Sequence, residues 1–156
     1  MKKIGVLLVL IGILFSCSAC AEKERAAKEN EILLEIDLSE IQDAFYTMGI
    51  EYALDNQFMG AQETGYADGF AYKEKNVCFT LVRGEELPND REPEALSFVF
   101  MISNVPGGSG GINELANREN MAWAEPCDPF DAEYGNIYRF RATGSFENGF
   151  TIEKAE

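Results

Sequence analysis

The chain of 156 residues contains no histidine. This absence excludes the usual Ser-His-Asp and Cys-His nucleophilic sites, in which an imidazole takes the proton of the nucleophile. It also excludes zinc held by histidine and removes the side chain that most often carries protons near neutral pH. Any catalysis by this chain would have to depend on other groups, and carboxylates are the most abundant of them.

Positive charge is scarce as well. The sequence has 13 Lys and Arg against 27 Asp and Glu, which gives a formal net charge of −14. A surface of this charge repels the phosphates of nucleic acids and anionic lipid headgroups. We therefore expect no nucleic-acid partner.

Long hydrophobic runs are limited to the N-terminus, where residues 4–15 are apolar apart from glycines. A helix that crosses a bilayer needs about 20 apolar residues, so this run is too short to span a membrane. It follows the basic residues Lys2 and Lys3 and leads into Leu14-Phe15-Ser16-Cys17. A positive start, a short apolar core and a small residue before a cysteine are typical of an export signal that ends at a lipid-attachment site.

The segment around Cys17 resembles the signature of bacterial lipoprotein precursors, with Leu14 and Ser16 in the positions that the family conserves before the cysteine. The resemblance implies that the Cys17 thiol carries a glyceride and that the protein is anchored by lipid on the extracytoplasmic side of a cell membrane or outer membrane. Cys20, preceded by the small residue Ala19, is the alternative acylation site.

The sequence then divides into three parts: a signal peptide over residues 1–16, an acylated cysteine with a charged tether over residues 17–31, and a single β-rich domain over residues 32–156. The tether is rich in Ala, Glu and Lys and has almost no large apolar residue, which is typical of a spacer. The remaining length suits one domain with one core.

Two cysteines, Cys78 and Cys127, lie in the predicted domain. Outside the cytoplasm such a pair often forms a disulfide, which would stabilise the fold by roughly 2–4 kcal/mol. The alternative is that the two thiols are buried separately.

The hydrophobic pattern predicts a mainly β fold with one N-terminal helix. A strand is expected from Ile32 to Leu38, and a helix from Glu40 to Asp55, because Ser39 and Gln42 form a capping-box pattern and apolar residues recur at helical spacing. Short apolar or alternating runs later in the chain predict strands. The expected architecture is a small antiparallel barrel, with a two-sheet sandwich as the alternative.

Two segments carry a family resemblance. Tyr72-Lys-Glu-Lys75-Asn-Val77 and Gly135-Asn-Ile-Tyr-Arg-Phe-Arg-Ala-Thr-Gly144-Ser-Phe146 resemble paired strands of OB-type barrels in exported proteins. The resemblance implies an OB-like barrel and carries over no functional residues.

The last segment predicts a β-hairpin. A turn over Glu147-Asn148-Gly149 places Phe146 opposite Phe150 and Ser145 opposite Thr151, so that one face is apolar and the other polar. This hairpin requires Gly149 to adopt a positive φ.

Several residues are candidates for ligand contact. Arg139 and Arg141 lie on one face of a predicted strand and could bind an anionic ligand, although pairing with surface acids is the alternative. Trp123 beside Glu125 would suit stacking against a sugar, or it is a partly buried ring at the domain edge.

An acidic loop offers a calcium site, for which the candidates are Glu125, Asp128, Asp131 and Glu133. Calcium takes six to eight oxygen ligands, and this loop could supply three or four. The alternative is that these carboxylates are solvated loop residues, since their spacing matches no EF-hand.

These features favour a non-catalytic lipoprotein whose domain binds an envelope protein, a peptide or a glycan, with no cofactor. The alternative function is a small carboxylate-dependent hydrolase acting on cell-envelope glycans, which would need two acids on facing walls of a cleft.

Overall fold

A computed structural model of the protein describes residues 25–65, 71–104 and 121–155. The predicted signal peptide and both candidate acylation sites, Cys17 and Cys20, lie outside these residues. The described part of the chain forms eight strands and no helix: β1 (Glu31–Ile41), β2 (Thr47–Leu54), β3 (Gln57–Gly65), β4 (Asn76–Val82), β5 (Leu96–Ser103), β6 (Met121–Trp123), β7 (Ile137–Ser145) and β8 (Gly149–Lys154). The mainly β fold class is confirmed.

The strands form two four-stranded sheets. The first sheet has the order β4-β1-β7-β8 and the second has the order β3-β2-β5-β6. The pairing of β1 with β7 is parallel, whereas the other neighbouring strands are antiparallel. The strand predicted at Ile32 to Leu38 is the central part of β1, which lies between β4 and β7.

The two sheets share one hydrophobic core. Alternate residues of β4, namely Val77, Phe79 and Leu81, are buried in this core, as expected for strands that expose one face. Phe98 on β5 meets Phe140 on β7 edge to face, with 4.8 Å between the ring centroids and 89° between the ring planes. Because these two rings come from different sheets, they hold the layers together through a favourable aromatic geometry.

The sheets approach each other at two corners. Ala124, directly after β6, forms a single parallel bridge with Phe150 on β8. At the opposite corner, the side-chain amide of Gln62 on β3 donates a hydrogen bond of 2.7 Å to the carbonyl oxygen of Thr80 on β4. Neither corner continues into a ladder, so the described strands do not close into a barrel, and the predicted OB-like barrel is not confirmed.

The helix predicted from Glu40 to Asp55 is wrong. β1 continues to Ile41, and β2 begins at Thr47. Between them the chain crosses from the first sheet to the second, and Phe45 is buried in the core on the way. The carbonyl oxygen of Phe45 accepts a hydrogen bond of 2.8 Å from the Tyr72 backbone N–H instead of one from within a helix.

The alternation of apolar residues explains why β2 is a strand. Met48, Ile50, Tyr52 and Leu54 are all buried, and they follow the period of two that a strand requires. Gly49 lies between the first two, where an added Cβ would stand 2.6 Å from the carbonyl oxygen of Gln62 on β3. The glycine therefore permits the close approach of β2 and β3.

The hairpin of β7 and β8 differs from its prediction by two residues in register. Gly149 has a φ of 84°, as predicted, but Ser145 lies opposite Gly149 and Thr143 opposite Thr151, and the turn covers residues 146–148. The Ser145 hydroxyl accepts a hydrogen bond of 3.1 Å from the Asn148 backbone N–H and so closes the turn one residue earlier. Because the shift is an even number of residues, every side chain of β8 remains on its predicted face.

Candidate functional site

A cleft opens at the seam between the two sheets. It has a volume of about 420 Å³ and lies between β8 and the segment that follows β6, with Cys127, Asp128, Pro129, Phe130, Phe140, Ile152, Glu153 and Lys154 as its lining residues. Pockets that bind small ligands in proteins have volumes of about 300–1,000 Å³. The cleft is therefore large enough to hold a ligand.

Two prolines explain why the seam opens. After Ala124 has paired with Phe150, the chain continues through Pro126 and Pro129, which have no backbone N–H to donate to β8. The segment pairs instead with β5 on its other side. Cys127 N–H donates to the Phe98 carbonyl oxygen at 3.0 Å, and Phe130 exchanges two hydrogen bonds of 2.9 Å with Leu96.

One wall of the cleft is the outer edge of β8. The Ala155 backbone N–H donates to the Arg139 carbonyl oxygen on β7 at 2.8 Å, so the backbone groups of Ala155, and those of every second residue before it, point toward β7. The backbone groups of Ile152 and Lys154 consequently point away from β7, toward the cleft. In the part of the chain that the structure describes, no strand pairs with β8 at these two residues.

The floor of the cleft is apolar and its rim is charged. Phe140 is buried and lies 5.7 Å from Phe130, measured between ring centroids. The ammonium group of Lys154 lies 5.2 Å from the Phe130 ring and 5.5 Å from the Tyr138 ring, within the range of cation–π attraction. Asp128 is exposed on the segment that follows β6, and Glu153 is exposed on β8 opposite Arg141, on the outer face of the first sheet.

The predicted disulfide between Cys78 and Cys127 is not present, since both thiols are free. Cys127 is buried in the core, where its sulfur accepts a hydrogen bond of 3.2 Å from the Phe98 N–H. Cys78 lies on β4 between the core residues Val77 and Phe79, so it points to the outer face of the first sheet. Side chains on opposite faces of a sheet cannot be joined without backbone movement.

Burial raises the pKa of both thiols, that of Cys78 and that of Cys127. The thiolate is the reactive form of cysteine, and a raised pKa makes it rarer at neutral pH. The two thiols are thus separate, as in the alternative, but only Cys127 is buried and Cys78 is half-buried. The raised pKa gives neither thiol the environment of a nucleophile.

We predict that alkylation will modify both cysteines without prior reduction. The full chain is unfolded in denaturant with iodoacetamide, digested and examined by mass spectrometry. The peptides that contain Cys78 and Cys127 should both carry the alkyl group, and in the native protein Cys127 should react more slowly because it is buried. A peptide pair that remains linked until a reductant is added would contradict the prediction.

Arg139 and Arg141 lie on the exposed face of β7 and pair with acids of β1. Arg139 lies 3.4 Å from Glu35, and Arg141 lies 3.7 Å from Asp37 and 3.5 Å from Glu40. These distances describe surface ion pairs, the alternative interpretation of the two arginines. Since neither arginine lines the cleft, the structure does not bring them to the candidate site.

Acid should weaken the interactions of Asp37. Hydrogen bonds from the side chain of Ser39 and from its backbone N–H, the latter of 2.8 Å, lower the pKa of Asp37 below the ordinary value of 3.8, and Arg141 contributes to the shift. A lowered folded-state pKa gives stability above the unfolded-state pKa, and this stability is lost as the pH falls through the folded-state value.

We therefore expect Asp37→Asn to reduce the free energy of unfolding at pH 7 by about 1 kcal/mol or less, because the side chain is partly exposed. The difference between the variant and the parent protein should become smaller at pH 2, as the pH falls toward the folded-state pKa. Urea unfolding at both pH values measures the difference, and Asp55→Asn, in the turn after β2, is the control. A loss of the same size at the acidic pH would argue against the role of the carboxylate.

The predicted calcium ligands do not converge. The Asp131 carboxylate accepts a hydrogen bond of 3.1 Å from the Ala95 N–H, and that of Glu133 is 3.4 Å from the side-chain amide of Asn136. Asp128 lines the cleft, whereas Glu125 is exposed outside it. Across residues 25–65, 71–104 and 121–155, no group of three or more acids or cysteines is placed to hold a metal ion.

Trp123 is half-buried at the end of β6, opposite Met101 on β5. β6 is the edge strand of the second sheet, so the ring lies at the domain edge, as the alternative interpretation proposed. Trp123 is not among the residues that line the cleft.

The residues that form the cleft walls, above all Ile152, Lys154 and Phe130, were not predicted as site residues from the sequence. Phe58 on β3 was not predicted either; at 63 % exposure it is the one strongly exposed large hydrophobic residue in the described ranges. Phe58 borders a shallower depression of about 190 Å³ with Ala53, Val99 and Pro126. The sequence signal for the cleft was the pair Pro126 and Pro129 shortly after β6, because prolines interrupt backbone pairing.

Comparison with known proteins finds no matching family model, no matching curated protein and no matching solved structure. None of the described segments forms a helix with the length and apolar character needed to cross a membrane.

Proposed function

We propose that the protein is a lipid-anchored extracytoplasmic binding module without catalytic activity. The observation that carries the anchor is the sequence Leu14-Phe15-Ser16-Cys17 after a basic start and a short apolar run, which resembles the signal of bacterial lipoprotein precursors. A thioether-linked glyceride with a further acyl chain holds a protein stably on a membrane. The charged tether then separates the β domain from the bilayer of the cell membrane or outer membrane.

The cleft between β8 and the proline-containing segment supports a binding role. It combines an apolar floor at Phe140 with charged groups at the rim and free backbone groups along β8. A concave, mainly apolar surface with a few polar groups is the usual form of a ligand site. The ligand belongs to the envelope: a protein, a peptide or a glycan.

Three observations support binding rather than catalysis. The chain has no histidine, burial raises the pKa of the thiols of Cys78 and Cys127, and the arginines on β7 are engaged with acids of β1. Neither thiol therefore has the arrangement of a nucleophile with an adjacent base.

One observation favours the alternative of a carboxylate-dependent hydrolase acting on envelope glycans. Asp128 and Glu153 are the two acids among the residues that line the cleft, and glycoside hydrolysis uses a pair of carboxylates. Both side chains are exposed, however, whereas the general acid of a glycosidase is kept protonated by apolar surroundings. The proposal therefore remains a binding module.

The anchor is tested by growing cells that express the full chain with an alkyne-tagged fatty acid. The protein should carry the tag and partition into the detergent phase on Triton X-114 separation. A protein that is untagged and remains in the aqueous phase would overturn the anchor.

The absence of catalysis is tested by incubating the purified full chain with isolated envelope glycan and measuring new reducing ends. We expect none above the background of a heat-denatured sample. Release of reducing ends that disappears in both Asp128→Asn and Glu153→Gln would establish the hydrolase instead.

A further inference from the structure

We infer that the cleft binds an extended peptide that adds a strand to the outer edge of β8. This inference rests on the proposed binding function and names its ligand class. It depends on the backbone of β8, on the two prolines opposite it and on the charges at the rim.

The backbone of β8 supplies the specific chemistry. Ile152 and Lys154 turn their N–H and C=O groups toward the cleft, and no described strand pairs with them. An extended peptide offers alternating donors and acceptors at the spacing of a strand, so it can continue the ladder of the first sheet. Most small ligands and sugars offer no such repeating pattern.

The prolines keep this edge available. Pro126 and Pro129 remove two backbone donors from the facing segment, and that segment is already held by β5 through Cys127 and Phe130. In the described residues the two sheets do not pair on this side beyond the bridge of Ala124 with Phe150. A guest strand would fill the space that the prolines leave.

The side chains select a peptide of alternating apolar and basic residues. In a bound strand every second side chain points to the floor, where Phe140 and Ile152 present apolar surface. The side chains between them point to the outer face, where Glu153 is exposed, and Asp128 is exposed on the facing segment. The excess of acidic over basic residues in the whole chain, 27 against 13, attracts a basic peptide further.

Lys154 shows how the site accommodates a cation. Its ammonium group lies over the rings of Phe130 and Tyr138 at the mouth of the cleft. The rings of Phe130 and Tyr138 are thus occupied by a cation of the chain itself, so the lysines of the peptide belong on the outer side of the bound strand.

The inference is tested with the full acylated chain in nanodiscs of phosphatidylcholine, with empty nanodiscs as the blank. The probe is a capped peptide of alternating lysine and valine, about six residues long, the usual length of a strand. Two comparison peptides separate the contribution of the backbone hydrogen bonds from that of the positive charges. One has every backbone nitrogen methylated, and the other has glutamate in place of lysine.

We expect saturable binding of the lysine–valine peptide and at least about tenfold weaker binding of both comparison peptides, since each hydrogen bond or ion pair lost costs roughly a factor of ten. Ile152→Pro should weaken binding by a similar factor, because it removes an outward N–H and leaves the pairing with β7 intact. Asp128→Asn with Glu153→Gln should weaken binding too, and Phe58→Ser, outside the cleft, should leave it unchanged.

The absence of saturable binding by the lysine–valine peptide would overturn the inference. So would equal binding of the methylated peptide, a result that does not depend on whether the Ile152 variant folds. The fatty-acid label is read on the same preparation. A labelled protein that does not bind the peptide would contradict only the strand-addition site. An unlabelled protein that binds the peptide would contradict only the anchor.

Discussion

Replacement of Cys17 by alanine should abolish fatty-acid labelling and release the protein from the membrane fraction, while Cys20→Ala should preserve both. The expected effect is large because each buried methylene of an acyl chain contributes roughly 0.8 kcal/mol to membrane binding. Cys20→Ala is a closely matched control, since it removes the same side chain three positions later in the same segment. Labelling is measured with an alkyne fatty acid, and release is measured by fractionation of the cells.

The reverse result, loss of label in Cys20→Ala alone, would move the acylation site to Cys20 and leave the anchor in place. Unchanged label and membrane fraction in a variant that lacks both cysteines would contradict the proposal of a lipid anchor. The apolar run before Cys17 would then act as an ordinary cleaved signal.

The fold could be predicted from the sequence where a segment had only one structural pattern. Ile32 to Leu38 had only the pattern of a strand, and the structure places it at the centre of the first sheet. Gly149 was predicted to have a positive φ because a tight hairpin needs one, and it has 84°. Local backbone requirements of this kind can be inferred from neighbouring residues alone.

The prediction failed where two patterns overlapped. Phe45, Met48 and Tyr52 recur at helical spacing, but Met48, Ile50 and Leu54 also alternate as a strand does. The decisive contacts are with β3 and β5, which lie far along the chain, so tertiary pairing overrode the local helical pattern. The pair Asp55-Asn56 was an overlooked sequence signal, because Asp and Asn favour the positive φ of a two-residue hairpin turn. In the structure both residues have positive φ and form the turn of the β2–β3 hairpin.

The cleft could not be predicted because its walls come from separate parts of the chain. Asp128 belongs to the acidic loop and Ile152 follows the predicted hairpin turn, yet nothing local brings the two together. Their proximity depends on the bridge of Ala124 with Phe150. Ionic contacts were easier to anticipate, since a chain rich in acids readily supplies partners such as Glu35 for Arg139.

A large loss of stability is also expected when the contact between the two sheets is removed. Phe98→Ala should reduce the free energy of unfolding by about 3–5 kcal/mol, because it removes a buried ring and leaves a cavity. Phe98 is 1 % exposed and packs edge to face on Phe140 of the other sheet. Losses of this size are a large fraction of the total stability of a domain, which is about 5–15 kcal/mol.

Phe58→Ala is the matched control, because it is the same chemical change on a side chain that is 63 % exposed. It should alter the free energy of unfolding by about 0.5 kcal/mol or less. Urea unfolding followed by tyrosine and tryptophan fluorescence measures both variants, and Phe98→Leu, with an expected loss of about 1–2 kcal/mol, gives a measurable transition if Phe98→Ala is unfolded from the start. Equal losses in Phe98→Ala and Phe58→Ala would mean that the core does not lie between the two sheets. The cleft at their seam would then lose its structural basis, because its floor residue Phe140 is the partner of Phe98.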